Sequence, residues 1–414
     1  MFKFLHAADI HLDSPQKGLD RYEGAPVEEC RRATRQALEN LVRLAIEERV
    51  AFVLIAGDLY DGKWTDYNTG LYLTRQMARL REAGIKVYVI QGNHDAENKM
   101  TRSLSWPENV VLLSTQGPQT LTLDEWSVAL HGQGYATAAV TANLVDRYPG
   151  AIPGLFNIGL LHTCAGGYED HARYAPCSLG EMRAKGYDYW ALGHIHKREE
   201  LLREPWIVFP GNLQGRHARE TGAKGASLVT VDDSGQATVE HQALDVLRWE
   251  VCRVDASDAP DGDVVLERFD GQLKGLLAAG DDRLLALRVE VVGACAAHGR
   301  LLADWPRWTG EVRRAAIEAS NGRAWVEKVQ PRTRPPGLAD LDAASDGPLA
   351  ELRGLIDELR QDENRLKQLG EKALDDLKKK LPTELMEGLD GPDRLKELLD
   401  QVGPLLLNRL NAGY

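Results

Sequence analysis

The chain has 414 residues, of which 43% are hydrophobic and 27% charged, a composition typical of a globular protein with two or three domains. Its 50 basic and 62 acidic side chains give a formal charge of −12, which excludes a uniformly basic nucleic-acid-binding surface but not a local groove. The apolar runs are too short to span a bilayer, and residues 1–9 lack the pattern of a secretory signal. Five widely spaced cysteines without a C-x-x-C motif predict a reduced, cytoplasmic protein.

The first ~240 residues alternate between strand and helix patterns, which predicts an α/β structure built on a large sheet. Helices are predicted over residues 28–48 and 71–83, where apolar side chains recur at helical spacing. The predicted strands are residues 2–8, 50–56, 85–90, 127–131, 156–161, 189–192, 207–209, 226–231 and 237–240.

A second, smaller α/β unit follows, with strand patterns at 249–254 and 285–292 and helical patterns at 264–277 and 310–320. The prolines that begin at Pro331 indicate a linker, because proline interrupts both a β ladder and a helix. Leucines at seven-residue spacing, such as Leu352, Leu359 and Leu366, predict helices after it. We therefore predict domains at 1–243 and 244–330, a linker at 331–348 and a helical region at 349–414.

Side chains that can bind metals follow five of the predicted strands. They are Asp9 and His11, then Asp58 and Asp61, then Asn93, His94 and Asp95, then His162, and finally His194 and His196. Loops at the carboxyl ends of neighbouring strands converge on one crevice, so these groups are expected to meet. Imidazole, carboxylate and amide ligands suit Mn²⁺, Fe²⁺ or Zn²⁺, and two such ions can activate a water against a phosphate. A single D-x-H or G-H-x-H motif is weak evidence, but five clusters in order predict a two-metal centre.

The same motifs resemble those of the calcineurin-like metallophosphoesterase family. The resemblance covers residues 1 to 240 and implies a metallophosphoesterase β-sandwich flanked by helices, with a small α/β capping domain and a helical C-terminal region. Within the family, the opening L-H-A-A-D-I-H-L-D and the later F-P-G-N-L-Q-G resemble the SbcD-type DNA exonucleases. The stretches Y-A-P-C-S-L, Y-D-Y-W-A-L-G-H-I-H, G-R-H and E-T-G-A-K-G resemble the YhaO-like branch.

The resemblance implies a role for each matching residue. Asp9, His11 and His196 would hold one metal ion, Asn93, His162 and His194 would hold the other, and Asp58 would bridge them. His94 would contact the scissile phosphate or protonate the leaving oxygen, and Asp95 could orient His94. Arg216 and His217 are candidates for contacts with a DNA phosphate. The ions would be two divalent cations, with Mn²⁺ favoured in the nuclease branch.

Several other residues have a structural interpretation that is preferred. His6 is expected to be a hydrogen-bonded core histidine, Asp13 a hydrogen-bonding partner of the first loop, and Asp61 a neighbour of the ligands. His131 ends a predicted strand, so a place near the site is a weaker alternative for it. Trp64 and His171 lie in loops that could reach a substrate.

The predicted function is a metal-dependent DNA nuclease, most simply an exonuclease, acting in DNA repair. The resemblance implies an SMC-like, SbcC-type ATPase as a partner of the C-terminal helices, and a homodimer. One alternative is a phosphodiesterase for small phosphodiesters, which the same residues would serve. Another is a scaffold that binds DNA or an ATPase without catalysis, against which the complete ligand set argues.

Overall fold

The computed structural model describes residues 1–14, 26–61, 67–97, 106–166, 174–335, 348–378, 391, 394–399 and 402. Trp64 and His171 lie outside these residues, as do most of the predicted linker and much of the C-terminal region. By compactness the chain divides into two units, one made of residues 1–251, 276–288 and 320–327, and the other of residues 252–275, 289–319 and 328–414.

The strands that form the first unit's two sheets are β1 (Phe2–Ala7), β2 (Phe52–Ile55), β3 (Lys86–Val89), β4 (Val110–Leu112), β5 (Gln119–Leu123), β6 (Val128–Gln133), β7 (Phe156–His162), β8 (Tyr189–Gly193), β9 (Glu199–Arg203), β10 (Trp206–Phe209), β11 (Gly225–Val231) and β12 (Ala237–Ala243). Its helices are α1 (Val27–Glu47), α2 (Tyr67–Glu82), α3 (Asn93–Glu97) and α4 (Leu179–Ala184). Short 3₁₀ turns lie at Asp124–Trp126 and Val145–Arg147.

Within the described residues these strands form two sheets, in the orders β12-β11-β1-β2-β3-β4 and β5-β6-β7-β8-β10-β9. Strands β1 to β4 run parallel, as do β6, β7, β8 and β10, so their carboxyl ends share an edge. The antiparallel strands β11 and β12 form the predicted hairpin, whereas β4, β5 and β9 were not predicted because they are short and half-exposed.

The two sheets pack face to face, because both contribute large apolar side chains to one core. Phe4 stacks on Phe52 within the first sheet, with ring centroids 5.2 Å apart, and meets the edge of Tyr189 from the second sheet at 5.3 Å. The outer face of the first sheet is covered by α1, whose buried stripe includes Leu38, Leu41 and Val42. The predicted sandwich flanked by helices is therefore the observed architecture.

The remaining elements are β13 (Leu247–Asp255), α5 (Gly262–Ala279), β14 (Leu284–Ala294), α6 (His298–Ala303), α7 (Trp305–Ser320), β15 (Ala324–Arg334), α8 (Pro348–Gln361) and α9 (Glu363–Lys378). The third sheet has the order β13-β14-β15. The prediction that the linker starts at Pro331 is wrong for its first residues, since β15 continues to Arg334. β15 is an edge strand, which is the kind of strand in which proline is found.

In the second unit, Glu290 pairs with Arg253 at 3.3 Å and with Arg332 at 3.1 Å. The predicted C-terminal helices are present as α8 and α9, and Ile356, Leu359 and Leu366 are buried. Among the described residues, no helix combines the length and the apolar composition needed to cross a bilayer.

Candidate metal centre

The loops that follow β1, β2, β3, β7 and β8 meet at one edge of the sandwich. The backbone N–H of Asp9 donates to the carbonyl of Gly57 at 3.0 Å, and that of His11 donates to the carbonyl of Asp58 at 3.1 Å. The backbone N–H of His194 donates to the Asp9 carboxylate, at 3.0 Å to Oδ2 and 3.1 Å to Oδ1. The first two bonds join the loops after β1 and β2 within the first sheet, and the bonds from His194 join the second sheet to the first.

Backbone strain is concentrated in the same loops. Asp9, His11, Asp58 and His194 have φ values of 50°, 45°, 52° and 104°. Non-glycine residues rarely adopt positive φ, and each such residue costs on the order of 1–3 kcal/mol. Strain of this kind is commonly found where side chains are held for function, and all four residues belong to the predicted ligand set.

Two glycines allow the loops to approach one another. Gly57 has a φ of 91°, and a Cβ atom there would lie 2.6 Å from His162 Nδ1. A Cβ atom at Gly92 would lie 2.3 Å from Asp58 Oδ1. Gly57 therefore allows a tight turn with positive φ, whereas Gly92 is required for close packing against the Asp58 carboxylate.

Six of the predicted ligands, together with His94, form three overlapping groups of metal-competent side chains. Within each group the potential ligand atoms lie within 4.8 Å of one another, and the groups are Asp9, His11 and His196; His11, Asp58 and His94; and Asp58, His162 and His194. Asp58 and His11 each belong to two groups. Asn93 joins the third group, since its Oδ1 lies 3.0 Å from His162 Nε2.

Hydrogen bonds fix the state of His162. Its Nδ1 lies 2.9 Å from the carbonyl oxygen of Ala56, which can only accept, so Nδ1 carries a proton. In the neutral ring Nε2 then presents a lone pair, 3.5 Å from Asp58 Oδ2. Burial would lower the pKa of His162, but the Asp58 carboxylate outweighs it and raises the pKa to about 9. A cation between Nε2 and these oxygen acceptors would satisfy all of them.

The same crowding of acceptors is found on the other side of Asp58. His11 Nε2 lies 3.2 Å from His196 Nε2 and 3.9 Å from Asp58 Oδ2, and His196 Nε2 lies 3.8 Å from Asp9 Oδ1. His11 and Asp9 are buried. Burial raises the pKa of Asp9, against the influence of His196. Buried imidazole and carboxylate groups that face one another fit divalent cations, which neutralise the carboxylates and accept the imidazole lone pairs.

His94 stands beside the cluster. Its side chain is 36% exposed, and its Nδ1 lies 3.4 Å from Asp61 Oδ1. Its backbone N–H donates to Asp58 Oδ1 at 3.0 Å. The cleft in front of His94 has a volume of about 340 Å³ and is lined by Asp58, Asn93, His94, Glu97, Ala138, Tyr174, His194 and His196.

The prediction that Asp95 orients His94 is wrong. The Asp95 carboxylate is buried and accepts backbone N–H bonds from Leu59, Tyr60 and Gly92, at 3.2, 3.1 and 3.0 Å. Burial and the charge of Asp58 raise the pKa of Asp95 to about 6. Asp95 therefore joins the loops after β2 and β3, and Asp61 is the carboxylate that lies beside His94.

The two residues predicted to contact a phosphate lie near the cluster. Arg216 is 15% exposed, and its guanidinium is 3.1 Å from Glu220 Oε1 and 3.9 Å from Asp61 Oδ1. His217 is 55% exposed and lies 3.5 Å from Glu220. Arg216 is thus held beside the metal-competent groups before any substrate arrives.

Comparisons with known proteins relate two parts of the chain to known families. Residues 2–198 match the family model of the calcineurin-like phosphoesterases, and residues 249–334 match the model of the middle domain of the metallophosphoesterase YhaO. Residues 2–198 therefore form a domain of the calcineurin-like phosphoesterase family. The chain is similar to an uncharacterized metallophosphoesterase, YhaO of Bacillus subtilis, with 38% identity over 62% of this chain and 64% of the relative.

A more distant relative is the DNA double-strand break repair protein Mre11 of Sulfurisphaera tokodaii, with 24% identity over 62% of this chain and 66% of the relative. The chain thus spans slightly less than two thirds of the length of both relatives. Among solved structures, a dimetal phosphatase from Danio rerio is 12% identical, with a TM-score of 0.36 over 58% of this chain and 99% of that one.

Three histidine or aspartate side chains of the phosphoesterase domain have structural roles. His6 is bonded to the Tyr189 hydroxyl at 2.9 Å and to the Leu192 carbonyl at 3.0 Å, which confirms the prediction of a core histidine. His131 lies against Thr120 and Asn157 at 2.9 and 3.2 Å, as its structural interpretation requires. Asp13, as predicted, is a hydrogen-bonding partner in the first loop.

Sequence reasoning missed the role of Glu220. The residue was noted only as part of a branch motif, yet its carboxylate contacts both His196 and Arg216. Burial would raise the pKa of Glu220, but the bond with His196 and the charge of Arg216 hold it well below its usual range. Glu220 lies four residues after Arg216, the predicted phosphate contact. This spacing of a carboxylate and an arginine is the sequence signal that could have indicated the role of Glu220.

Proposed function

We propose that the chain is a metal-dependent DNA nuclease that hydrolyses phosphodiester bonds at a two-metal centre. The observation that carries the proposal is the place of Asp58, whose carboxylate belongs to two groups of metal-competent side chains. One shared carboxylate between two ligand sets is the arrangement that a bridged pair of ions requires.

The proposed ligands are those expected from the sequence. Asp9, His11 and His196 would hold one ion, and Asn93, His162 and His194 the other, with Asp58 shared. Imidazole mixed with carboxylate and amide oxygen suits Mn²⁺, Fe²⁺ or Zn²⁺, and we propose Mn²⁺ for both ions because the resemblance to the nuclease branch favours it. When bound, the ions would supply an activated water and neutralise negative charge on the phosphate.

His94 is the proposed proton donor to the leaving oxygen. It lines the cleft, is partly exposed, and has the ordinary chemistry of a general acid. Asp61 would orient its ring through Nδ1, leaving Nε2 to face the substrate. Arg216 and His217 are the proposed contacts to a phosphate oxygen, and the bidentate geometry of a guanidinium favours Arg216 for this role.

The DNA substrate is supported by the similarity to an Mre11 protein and by the additional middle domain after the phosphoesterase domain. We also propose an SMC-like ATPase as the partner of the C-terminal helices, where Leu355 and Leu369 are 41% and 47% exposed. A cytoplasmic location is proposed because the five cysteines are widely spaced, odd in number and contain no C-x-x-C motif.

A second candidate is a phosphodiesterase for small phosphodiesters. The cleft volume of about 340 Å³ lies within the size range of small-molecule sites, and the same ligands would serve that reaction.

An assay of the purified chain with Mn²⁺ separates the two candidates. End-labelled duplex and single-stranded DNA would be compared with bis-nitrophenyl phosphate, with and without a chelator. The DNA nuclease requires metal-dependent loss of the labelled DNA. Hydrolysis of the small diester with both DNA substrates intact would favour the second candidate.

A further inference from the structure

The loop between β10 and β11 carries a buried carboxylate that contacts the candidate metal centre without being one of its predicted ligands. The Glu220 side chain is 7% exposed, and its Oε1 lies 2.7 Å from His196 Nδ1. Its second oxygen accepts from the Arg216 backbone N–H at 2.8 Å and from Asn212 Nδ2 at 2.9 Å. Oε1 of Glu220 thus contacts the predicted ligand His196, and Oε2 accepts hydrogen bonds from the loop that carries Glu220.

The contact with His196 determines which ring nitrogen carries a proton. A carboxylate oxygen and an imidazole lone pair repel each other at 2.7 Å, so a hydrogen must lie between them. The arginine beside Glu220 favours the ionised carboxylate, which places that hydrogen on His196 Nδ1. In the neutral ring the lone pair is then on Nε2, which faces His11 Nε2 at 3.2 Å and Asp9 Oδ1 at 3.8 Å.

Arg216 offers a competing arrangement, since its Nη2 lies 3.1 Å from the same His196 nitrogen. If the guanidinium donated to Nδ1, the proton would move to Nε2 and point at the other ligands. The shorter distance to the carboxylate and the bond from Arg216 Nη2 to Glu220 Oε1, at 3.1 Å, favour the first arrangement. Both donors then share one carboxylate oxygen.

We propose that Glu220 is a positioning residue that holds His196 in the tautomer needed to bind a metal ion and holds Arg216 beside the centre. The inference rests on the proposed function, because that proposal makes His196 a metal ligand. It adds a role for Glu220, to which none has been assigned. Carboxylates that accept from metal-binding histidines typically change metal affinity about 10- to 100-fold when they are removed.

The first test is Glu220→Gln in the full-length chain. The amide oxygen can still accept from Asn212 and Arg216, but its NH₂ group would donate to His196 Nδ1 and reverse the tautomer. We expect the Kd for Mn²⁺, measured by calorimetric titration of the chelator-treated protein, to rise about 10- to 100-fold. The midpoint of urea unfolding in chelator should stay close to that of the wild type.

Glu200→Gln is the matched control. Glu200 also pairs with arginines, at 2.8 Å to Arg198 and 3.0 Å to Arg203, but it lies on β9 and is not among the metal-competent groups. Its Kd for Mn²⁺ should equal that of the wild type. Equal Mn²⁺ affinity in Glu220→Gln and Glu200→Gln would overturn the proposal.

A spectroscopic measurement on the wild type decides the matter even if Glu220→Gln fails to fold. Long-range ¹⁵N–¹H correlation of ¹⁵N-histidine protein, above the ordinary histidine pKa of about 6.5, reports the tautomer of each ring. The His196 signal is assigned by its loss in His196→Asn. Protonation at Nδ1 supports the proposal, and protonation at Nε2 contradicts it. Neither readout needs DNA cleavage, so a chain that binds Mn²⁺ but leaves DNA intact refutes only the nuclease proposal.

Discussion

The phosphoesterase domain buries histidines in two regions that differ in how their ring nitrogens are satisfied. In the interior of the sandwich, His6 and His131 each have protein partners at both nitrogens. At the carboxyl edge of the same sheets, the Nε2 atoms of His11, His162 and His196 face other acceptors instead. A buried histidine with a hydrogen-bond partner at each ring nitrogen stabilises the fold. Where the Nε2 atoms of several histidines face one another and carboxylate oxygens, a cation or a proton is required between them.

The largest effect on activity is expected from Asp58→Asn. The substitution removes the carboxylate shared by two groups of metal-competent side chains, so phosphodiesterase activity should fall more than about 10³-fold. Mn²⁺ should raise the melting temperature of the wild type but not that of the variant, because only binding to the folded state stabilises it. An Asp58→Asn variant that keeps both the stabilisation by Mn²⁺ and the activity would contradict a metal centre at the carboxyl edge of the sheets.

His94→Asn separates proton donation from metal binding. The loss of a general acid typically lowers kcat about 10²- to 10⁴-fold. Because His94 also lies within one metal-competent group, the Kd for Mn²⁺ has to be measured by calorimetry. An unchanged Kd together with the loss of kcat supports the role of proton donor, whereas a weakened Kd would make His94 a ligand.

Asp61→Asn should have a smaller effect. Asp61 Oδ1 lies 3.4 Å from His94 Nδ1 and 3.5 Å from His11 Nδ1, while Oδ2 accepts from Ser14 at 2.6 Å. The asparagine can keep one of these bonds, so kcat should fall only about 10- to 100-fold. A larger loss than that of His94→Asn, measured under the same conditions, would argue against an orienting role.

His6→Leu is expected to change stability and leave the specific activity of the folded protein unchanged. It leaves the Tyr189 hydroxyl and the Leu192 carbonyl without their partner, which costs about 1–3 kcal/mol of unfolding free energy. The measurement is urea unfolding at neutral pH, with activity per folded molecule as the control. Loss of activity without loss of unfolding free energy would contradict a purely structural role for His6.

The pH dependence of the same variant gives a further check. Burial lowers the pKa of His6 to about 3, whereas the unfolded value is about 6.5. Between these values the unfolded state binds one more proton, so the wild type loses stability as the pH falls. His6→Leu lacks this contribution, and its disadvantage in unfolding free energy should shrink as the pH falls from about 6.5 toward 3. A disadvantage that is constant with pH would contradict the burial of neutral His6.

Much of the site could be predicted from the sequence because it depends on where polar residues follow apolar strands. Each predicted ligand follows a strand at one edge of the sandwich, in a loop, at a strand end or, for Asn93, at the start of α3. Glu220 and the contact between His94 and Asp61 could not be predicted in this way, since they depend on loop conformation. Asp95 was predicted to orient His94 because it follows His94 in the sequence. The Asp95 carboxylate instead accepts hydrogen bonds from backbone N–H groups.

The fold shows the same limit. Fully buried strands such as β2 and β7, and the amphipathic helix α1, have clear sequence patterns and were predicted. Strands β4, β5 and β9 were not predicted, because they are short and lie half-exposed at the edges of their sheets. Pro331 was interpreted as the end of ordered β structure, but only the strand order shows that β15 is an edge.

The number of Mn²⁺ ions bound per chain tests the central claim most directly. The chelator-treated wild type and Asp58→Asn would be saturated with Mn²⁺, freed of unbound metal and analysed by elemental mass spectrometry. A centre bridged by Asp58 predicts two ions per wild-type chain and a lower occupancy in the variant. One ion or none in the wild type, or two in both proteins, would contradict a metal centre that depends on the shared carboxylate.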